Sequence, residues 1–445
     1  MLSTTPKTQI NRESLHRFLC SDYFGMFIFI NIILYSLFKE SIQLIADASQ
    51  TIIVTFTVLT IGLEWRFFIK NFIFRMLLLA LVAQMLSWLS SKYYIPDLAA
   101  PLPVLKSLAY LFFFFCVAFW LKGNEKRANL VLFAFTLGVI FTFAYHSSVL
   151  SEIKNGLKGV RVDFHYRNAQ YGSLITGACF IFYVIYTLLH KHLLSPIKLT
   201  FCAAMILLFG LFSIILQSRQ SWLAITISLI TFFIFALLDK KKFPVRKVLI
   251  GSVIFIVLFF CLYHVPFVRQ RILVGFVHSG DVHAMLTFHW QEVKDFSIGV
   301  RLKSWVEAGK WIQAHPFFGT GFGSQTYVIT TSHTLPDYIT REFRHLHNSN
   351  IETLVSWGLL GFFTLYASWI YILKKVVGSD SSSFYTKALC VSFFIYWIII
   401  NNFESFFYYR AGQWVFSVFV GILYSAILQK EYDAYLEARN ENIRY

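Results

Sequence analysis

Charge is what this sequence has least of. Only 14% of its 445 residues are Asp, Glu, Lys or Arg, against 57% that are hydrophobic. A soluble chain carries about 25% charged residues, so an ordinary soluble domain is excluded. Cysteine is sparse as well. Cys20, Cys116, Cys179, Cys202, Cys261 and Cys390 all fall in or beside apolar runs, so neither a disulfide framework nor a thiolate metal site is expected. A basic soluble segment is missing too, and the net charge of +16 therefore speaks for anchoring and attraction to anionic lipid, not for nucleic-acid binding. Finally, the first apolar stretch follows a polar lead over residues 1–19 and is not followed by a small-residue cleavage site, so a cleaved signal peptide is not expected.

What the chain does have is long apolar runs rich in Phe, which occurs 50 times. A bilayer core about 30 Å thick takes roughly 20 apolar residues per helix, and there the backbone must satisfy its own hydrogen bonds. The runs at 20–38, 42–63, 72–91, 104–121, 128–145, 170–189, 199–217, 222–238, 248–264, 350–373, 386–401 and 412–428 predict twelve spans. The expected organisation is helices one to nine over 1–264, a large outer loop over 265–349, helices ten to twelve over 350–428 and a tail over 429–445. Lys and Arg mark the inner side. With the N-terminus inside, 22 of the 39 basic residues fall on the cytoplasmic side and 9 in short outer loops. The densest cluster, Lys240, Lys241, Lys242, Arg246 and Lys247, falls inside.

The long loop is rich in Trp, Phe and His, which disfavours disorder. Residues 301–314 read as an amphipathic helix, with Trp305, Ala308 and Ile312 on one face and Lys303, Glu307 and Lys310 on the other. It should stop at His315–Pro316. Gly319, Gly321 and Gly323 then make a flexible, tight turn; they lack the strand and spacing of a dinucleotide-binding fingerprint.

Three features carry possible chemistry. Arg219 sits in a very short outer turn, Leu216–Trp222, where it either snorkels to headgroups or pairs with phosphate through its planar guanidinium. Arg301 opens the amphipathic helix, as a solvated face or a second anion contact. Arg161, Arg167, Arg341 and Arg344 are further outer basic residues that equally read as surface charge. His347-Asn348 stands where the loop enters the tenth span, so Asn348 or Ser349 can cap that helix, and His347 is placed to act as a general base for a hydroxyl. A metal site from His333, His345 and His347 is disfavoured. His345 and His347 would face opposite ways on a strand or helix, and no carboxylate is obviously placed to join them.

The pattern His347-Asn348, nine residues, Gly358-Leu359-Leu360-Gly361 resembles the signature of bacterial O-antigen ligases. The preceding Arg301, Trp305 and Ala308, the turn Pro316–Gly323, and Ser218-Arg219-Gln220-Ser221-Trp222-Leu223 are similar to the same superfamily, as is a large loop between spans nine and ten. The resemblance implies an all-α membrane glycosyltransferase of the GT-C class in the bacterial inner membrane, with both termini cytoplasmic and the site facing the periplasm. Its donor would be an undecaprenyl-diphosphate-linked glycan and its acceptor a sugar hydroxyl of lipid A–core. The resemblance implies a metal-independent reaction that needs no ATP; oligomeric state is left open. Guanidinium groups of Arg219 and Arg301 would stabilise the departing diphosphate, with Arg161 as a further contact and Asn348 beside the substrate, while His347 takes the hydroxyl proton and the anomeric carbon inverts. An unperturbed imidazole, with a pKa of roughly 6.5, is largely neutral at pH 7. Glu404 and Arg410, in the last outer loop, would pair with each other, touch the acceptor or serve as plain structural ions.

Two relatives share the donor chemistry, O-antigen polymerases and protein O-oligosaccharyltransferases. The former often carry two large outer loops and the latter a C-terminal soluble domain; neither is expected here. A lipid-linked sugar transporter would place ionisable residues at the bilayer midplane. These spans are nearly free of them; Asp47, the exception, falls near the outer end of the second.

Overall fold

A computed structural model describes residues 14–19, 21–238, 245–277, 279–287, 289, 292–293 and 298–444. Lys240, Lys241, Lys242 and Cys20 lie outside the described residues. Among those described there is no strand, and the chain is a polytopic all-α membrane protein. Helices occupy every predicted span: α1 (Asp22–Phe38), α2 (Gln43–Leu63), α3 (Phe72–Tyr94), α4 (Lys106–Leu121), α5 (Glu125–His146), α6 (Ala169–His190), α7 (Pro196–Ile215), α8 (Arg219–Leu238) and α9 (Val245–Tyr263). The loop adds α10 (Pro266–Val277), α11 (Ser279–Leu286), α12 (Ile298–Ala314), α13 (Ser324–Thr330) and α14 (Asp337–Glu342). Then come α15 (Ser349–Gly378), α16 (Phe384–Asn401) and α17 (Arg410–Arg444). Among the described residues nine helices are long and apolar enough to cross a bilayer; α1 and α4 are shorter.

Helix starts follow local chemistry. Ser21, Asn71, Asn124, Asn168, Ser195, Asn348 and Ser383 each accept a hydrogen bond from the first turn that follows. Inside, aromatic side chains fill the space between helices. Phe135 lies against Trp414 at 4.3 Å between ring centroids, and Phe393 stacks on Phe419 at 4.8 Å. The abundant Phe is thus largely interhelical packing in the core around α6, α16 and α17. Residues 429–444 of the expected tail continue α17 as helix. Its 35 residues extend about 52 Å, well beyond the bilayer core, and its far end meets the opposite face, where Asn71 donates to Glu431 at 2.8 Å and Arg439 to Glu64 at 3.2 Å.

The loop is fastened to α15 by backbone. At Gly358 (φ 59°, ψ −163°) α15 breaks its own ladder. Leu359 and Leu360 donate to the carbonyls of Pro316 and Phe317 at 2.8 and 3.1 Å. The carbonyls they leave, Val355 and Ser356, accept from Thr320 and Gly321 at 3.1 and 2.8 Å. A Cβ at Gly358 would lie 2.4 Å from the Phe317 carbonyl, and one at Gly319 2.5 Å from that of Val355. Only glycine fits either place. The Pro-Gly segment is therefore not a flexible turn. It is spliced into a broken helix, which ties α12 to the head of α15; Ser90 of α3 adds a bond to the Gly319 carbonyl at 2.6 Å.

Candidate active site

The head of α15 is built by short-range chemistry. Asn348 Oδ1 accepts from Asn350 and Ile351 N–H at 3.0 and 3.2 Å, so that oxygen serves as the cap. Glu352, buried one turn on, accepts from Leu346 N–H and the Ser405 hydroxyl, both at 2.6 Å. It is an ionisable residue inside a span, and no local pattern singles it out. His347 itself has φ 54°, left-handed for a non-glycine residue. That conformation costs about 1–3 kcal/mol and persists only where its surroundings impose it. Here the cap on one side and the Trp305 Nε1–Leu346 carbonyl bond of 2.7 Å on the other hold it.

The turn at His347 aims its Nδ1 at Glu404, at 3.1 and 3.2 Å from the two carboxylate oxygens. Glu404 is buried, comes from the loop between α16 and α17, and also accepts from Ser405 N–H at 3.1 Å. Burial would push its carboxyl up. The His347 hydrogen bond and the charges of His347, His345 and Arg301 outweigh that, and the carboxyl is held below its usual range. A carboxylate on Nδ1 fixes the tautomer with its proton there and leaves Nε2 free to accept another. Glu404, whose role the sequence leaves open, therefore pairs with His347.

His345 corrects a second expectation. Because the chain at 345–347 is neither strand nor helix and reverses at His347, the two rings lie together, 3.9 Å between centroids. His345 Nδ1 is 3.4 Å from Glu404 Oε1. Burial first, then His347 and Arg301, push His345 down to about 4 against the pull of Glu404, so it is neutral near pH 7. His345, His347 and Glu404 form a metal-capable trio among the described residues, with their ligand atoms within 4.8 Å of one another. The carboxylate that the sequence did not reveal is Glu404; His333 is exposed and not part of this group.

Beside this dyad, arginines from four different elements gather. The α7–α8 turn passes through Gln217 at φ 50°, so that Arg219 starts α8 with a buried Nη1 that makes no hydrogen bond. Arg161, on the loop before α6, donates through Nε to the Leu216 carbonyl at 3.4 Å. Arg271, on α10, does the same to Gln217 at 3.4 Å. Arg161 is exposed as a whole, yet its charge is held below the usual range, first by burial and then by Arg271; Arg219 and Arg301 repel it further, with Asp163 opposing. Arg301, half-buried on α12, is lowered by burial and supported by Glu404. It is thus the residue electrostatically linked to both the arginine cluster and the His347–Glu404 pair. Among the described residues these four guanidinium groups outnumber the carboxylates that act on them, Asp163 and Glu404, and such an excess of positive charge suits an anion with several oxygens.

An apolar groove opens beside Arg219. It is lined by Phe180, Gly210, Ser213, Ile214, Trp222, Ile225, Thr226, Leu262, Tyr263, Val268 and Ile272, with about 820 Å³ of empty space, part of it open to the surroundings. Trp222, one turn into α8, stiffens its wall by donating to the Ser213 carbonyl at 2.8 Å.

The structure sets the other candidates apart. Arg341 meets Asp337 at 3.7 Å on the surface, and Arg344 donates to the carbonyls of Thr340 and Phe343. Arg167 lies 4.0 Å from buried Glu40. Asp47 pairs with Lys39 at 2.9 Å near the start of α2. Arg271 is the residue the sequence reading passed over, since nothing in Val265–Val277 distinguishes it from Arg269.

Residues 203–366 match the profile of the O-antigen ligase family. That stretch carries Arg219, Arg271, Arg301, His347 and Asn348, and the match supports a role in O-antigen or glycan ligation or polymerisation. No curated protein matches the chain.

Proposed function

We propose that this protein is an O-antigen ligase of the bacterial inner membrane. It transfers an undecaprenyl-diphosphate-linked glycan to a sugar hydroxyl of lipid A–core on the periplasmic side. The observation that supports the reading is that the charge of Arg301 acts both on the arginine cluster and on Glu404, the carboxylate that holds the His347 imidazole, with an apolar groove lined by neighbours of Arg219 and Arg271 in the chain.

The chemistry runs through these residues. The isoprenoid tail lies in the groove beside Trp222 and Tyr263. The diphosphate meets Arg219, Arg161, Arg271 and Arg301. The acceptor hydroxyl attacks the anomeric carbon and gives its proton to His347 Nε2, while Glu404 stabilises the imidazolium that forms. The bond from the anomeric carbon to the diphosphate oxygen breaks, and the leaving group's growing negative charge falls on the guanidinium groups. One displacement inverts the anomeric centre. A polyprenyl diphosphate is already an activated leaving group, so the reaction needs no nucleotide. Asn348 contributes by holding the head of α15, since its side-chain oxygen is committed to the cap.

Deletion in the native host tests the activity. The expected result is lipid A–core free of O-antigen, together with lipid-linked polymer of normal length. A core bearing one repeat would instead mark a polymerase, and unchanged lipopolysaccharide would overturn the reading.

A further inference from the structure

We propose that His345, His347 and Glu404 form a binding site for a borderline divalent transition metal such as Zn2+, and that occupancy of this site switches off the imidazole on which transfer depends. The second half rests on the function proposed above; the first does not.

The geometry is that of three ligands around one point. Glu404 Oε1 lies 3.1 Å from His347 Nδ1 and 3.4 Å from His345 Nδ1, and all three donor atoms fall within 4.8 Å of one another. Zinc bound to imidazole nitrogen and carboxylate oxygen at about 2.0–2.1 Å with tetrahedral angles requires its ligands to be about 3.3 Å apart. A general base with its orienting carboxylate requires only one imidazole. The second one is unexplained by proton transfer. His345 aims the same nitrogen at the same oxygen, with its ring held against that of His347. Two imidazoles and a carboxylate converging in this way, with a fourth position left for water, suit Zn2+ better than Mg2+ or Ca2+, which prefer oxygen ligands. The supports are in place. Glu404 is fixed by Ser405 N–H, and the Ser405 hydroxyl lies 3.4 Å from His345 Nδ1 and donates to Glu352. The positive charge of Arg301 acts on Glu404, so the affinity should fall short of that of a structural site.

Occupancy acts through the tautomer. With the metal on Nδ1 of His347, the ring's proton must sit on Nε2. That nitrogen then has no lone pair to accept the proton of an attacking hydroxyl. Nothing is consumed: the proton moves from one ring nitrogen to the other, and removal of the metal reverses it.

The test uses the full-length protein in detergent, stripped with a chelator and dialysed. Zn2+ is titrated calorimetrically, and Co2+ is followed by the visible absorption that marks a tetrahedral site. We expect one ion per chain and binding weakened about tenfold or more in His345→Ala. A His333→Ala control should bind as the original chain does. Equal affinity in His345→Ala, or absence of saturable binding, would overturn the site. In a transfer assay Zn2+ should inhibit the original chain and, at the same concentration, inhibit His345→Ala far less relative to its own metal-free rate. Activation by Zn2+ would overturn the inhibitory role. If metal binds but no transfer is seen under any condition, the functional reading fails and the site stands. If transfer depends on His347 but metal does not bind, the reverse holds.

Discussion

His347→Asn is expected to lower the transfer rate by about 10²–10⁴-fold while the protein still inserts and still binds the lipid-linked donor. Asparagine is chosen because position 347 has φ 54°, a conformation that Asn tolerates better than Ala. The head of α15 should keep its shape, since Asn348, not His347, caps it. The substitution therefore removes a proton acceptor and little else. Glu404→Gln is the companion. It keeps the volume of a side chain hydrogen-bonded to His347 Nδ1 but removes the charge that fixes the tautomer and stabilises imidazolium. Its loss should appear in kcat and not in donor affinity, because the pair acts on the proton and not on the diphosphate. Single-turnover rates with radiolabelled donor, alongside donor-binding curves, separate the two. A near-normal rate in His347→Asn would remove the residue from the chemistry.

Arg219→Gln should cost about 10²–10³-fold in rate, the magnitude typical of losing one preorganised donor to a developing negative charge. It should do so without weakening the ligand-free protein. The Arg219 Nη1 is buried without a hydrogen-bond partner, and Arg161, Arg271 and Arg301 crowd the same region. Removing one of several mutually repelling charges relieves strain that the free protein carries for its ligand. The melting temperature in detergent should therefore stay level or rise as activity falls. Arg219→Lys should remain impaired, because an ammonium group cannot reproduce a bidentate contact with phosphate. A marked fall in melting temperature with either variant would instead make Arg219 a structural ion.

The contrast between these residues shows what a sequence discloses. Spans were legible because length and apolarity act locally: each predicted run contains a helix, and the Ser or Asn ahead of many of them is its cap. Arg219, Arg301 and His347 were legible because they sit in recognisable local patterns. Arg271 was not, because its significance comes from the Gln217 carbonyl, far away in sequence. Glu404 could be seen as a titratable outer residue, yet its partner could not, since the contact with His347 spans 57 positions. The error over His345 had a backbone cause. A period-two argument assumes regular extended chain, and the left-handed turn at His347 cancels it. Gly358 illustrates the converse. Its place in a motif was plain, but the reason for it, a loop backbone spliced into a broken helix, appears only in three dimensions.

The central claim is a single displacement assisted by His347, with the diphosphate held by arginine. The most direct measurement is the anomeric configuration of the new linkage made by the purified protein in proteoliposomes, from a donor of known configuration and lipid A–core. The account predicts inversion, one polyprenyl diphosphate released per glycan transferred, and no product from His347→Asn. Retention of configuration would contradict it.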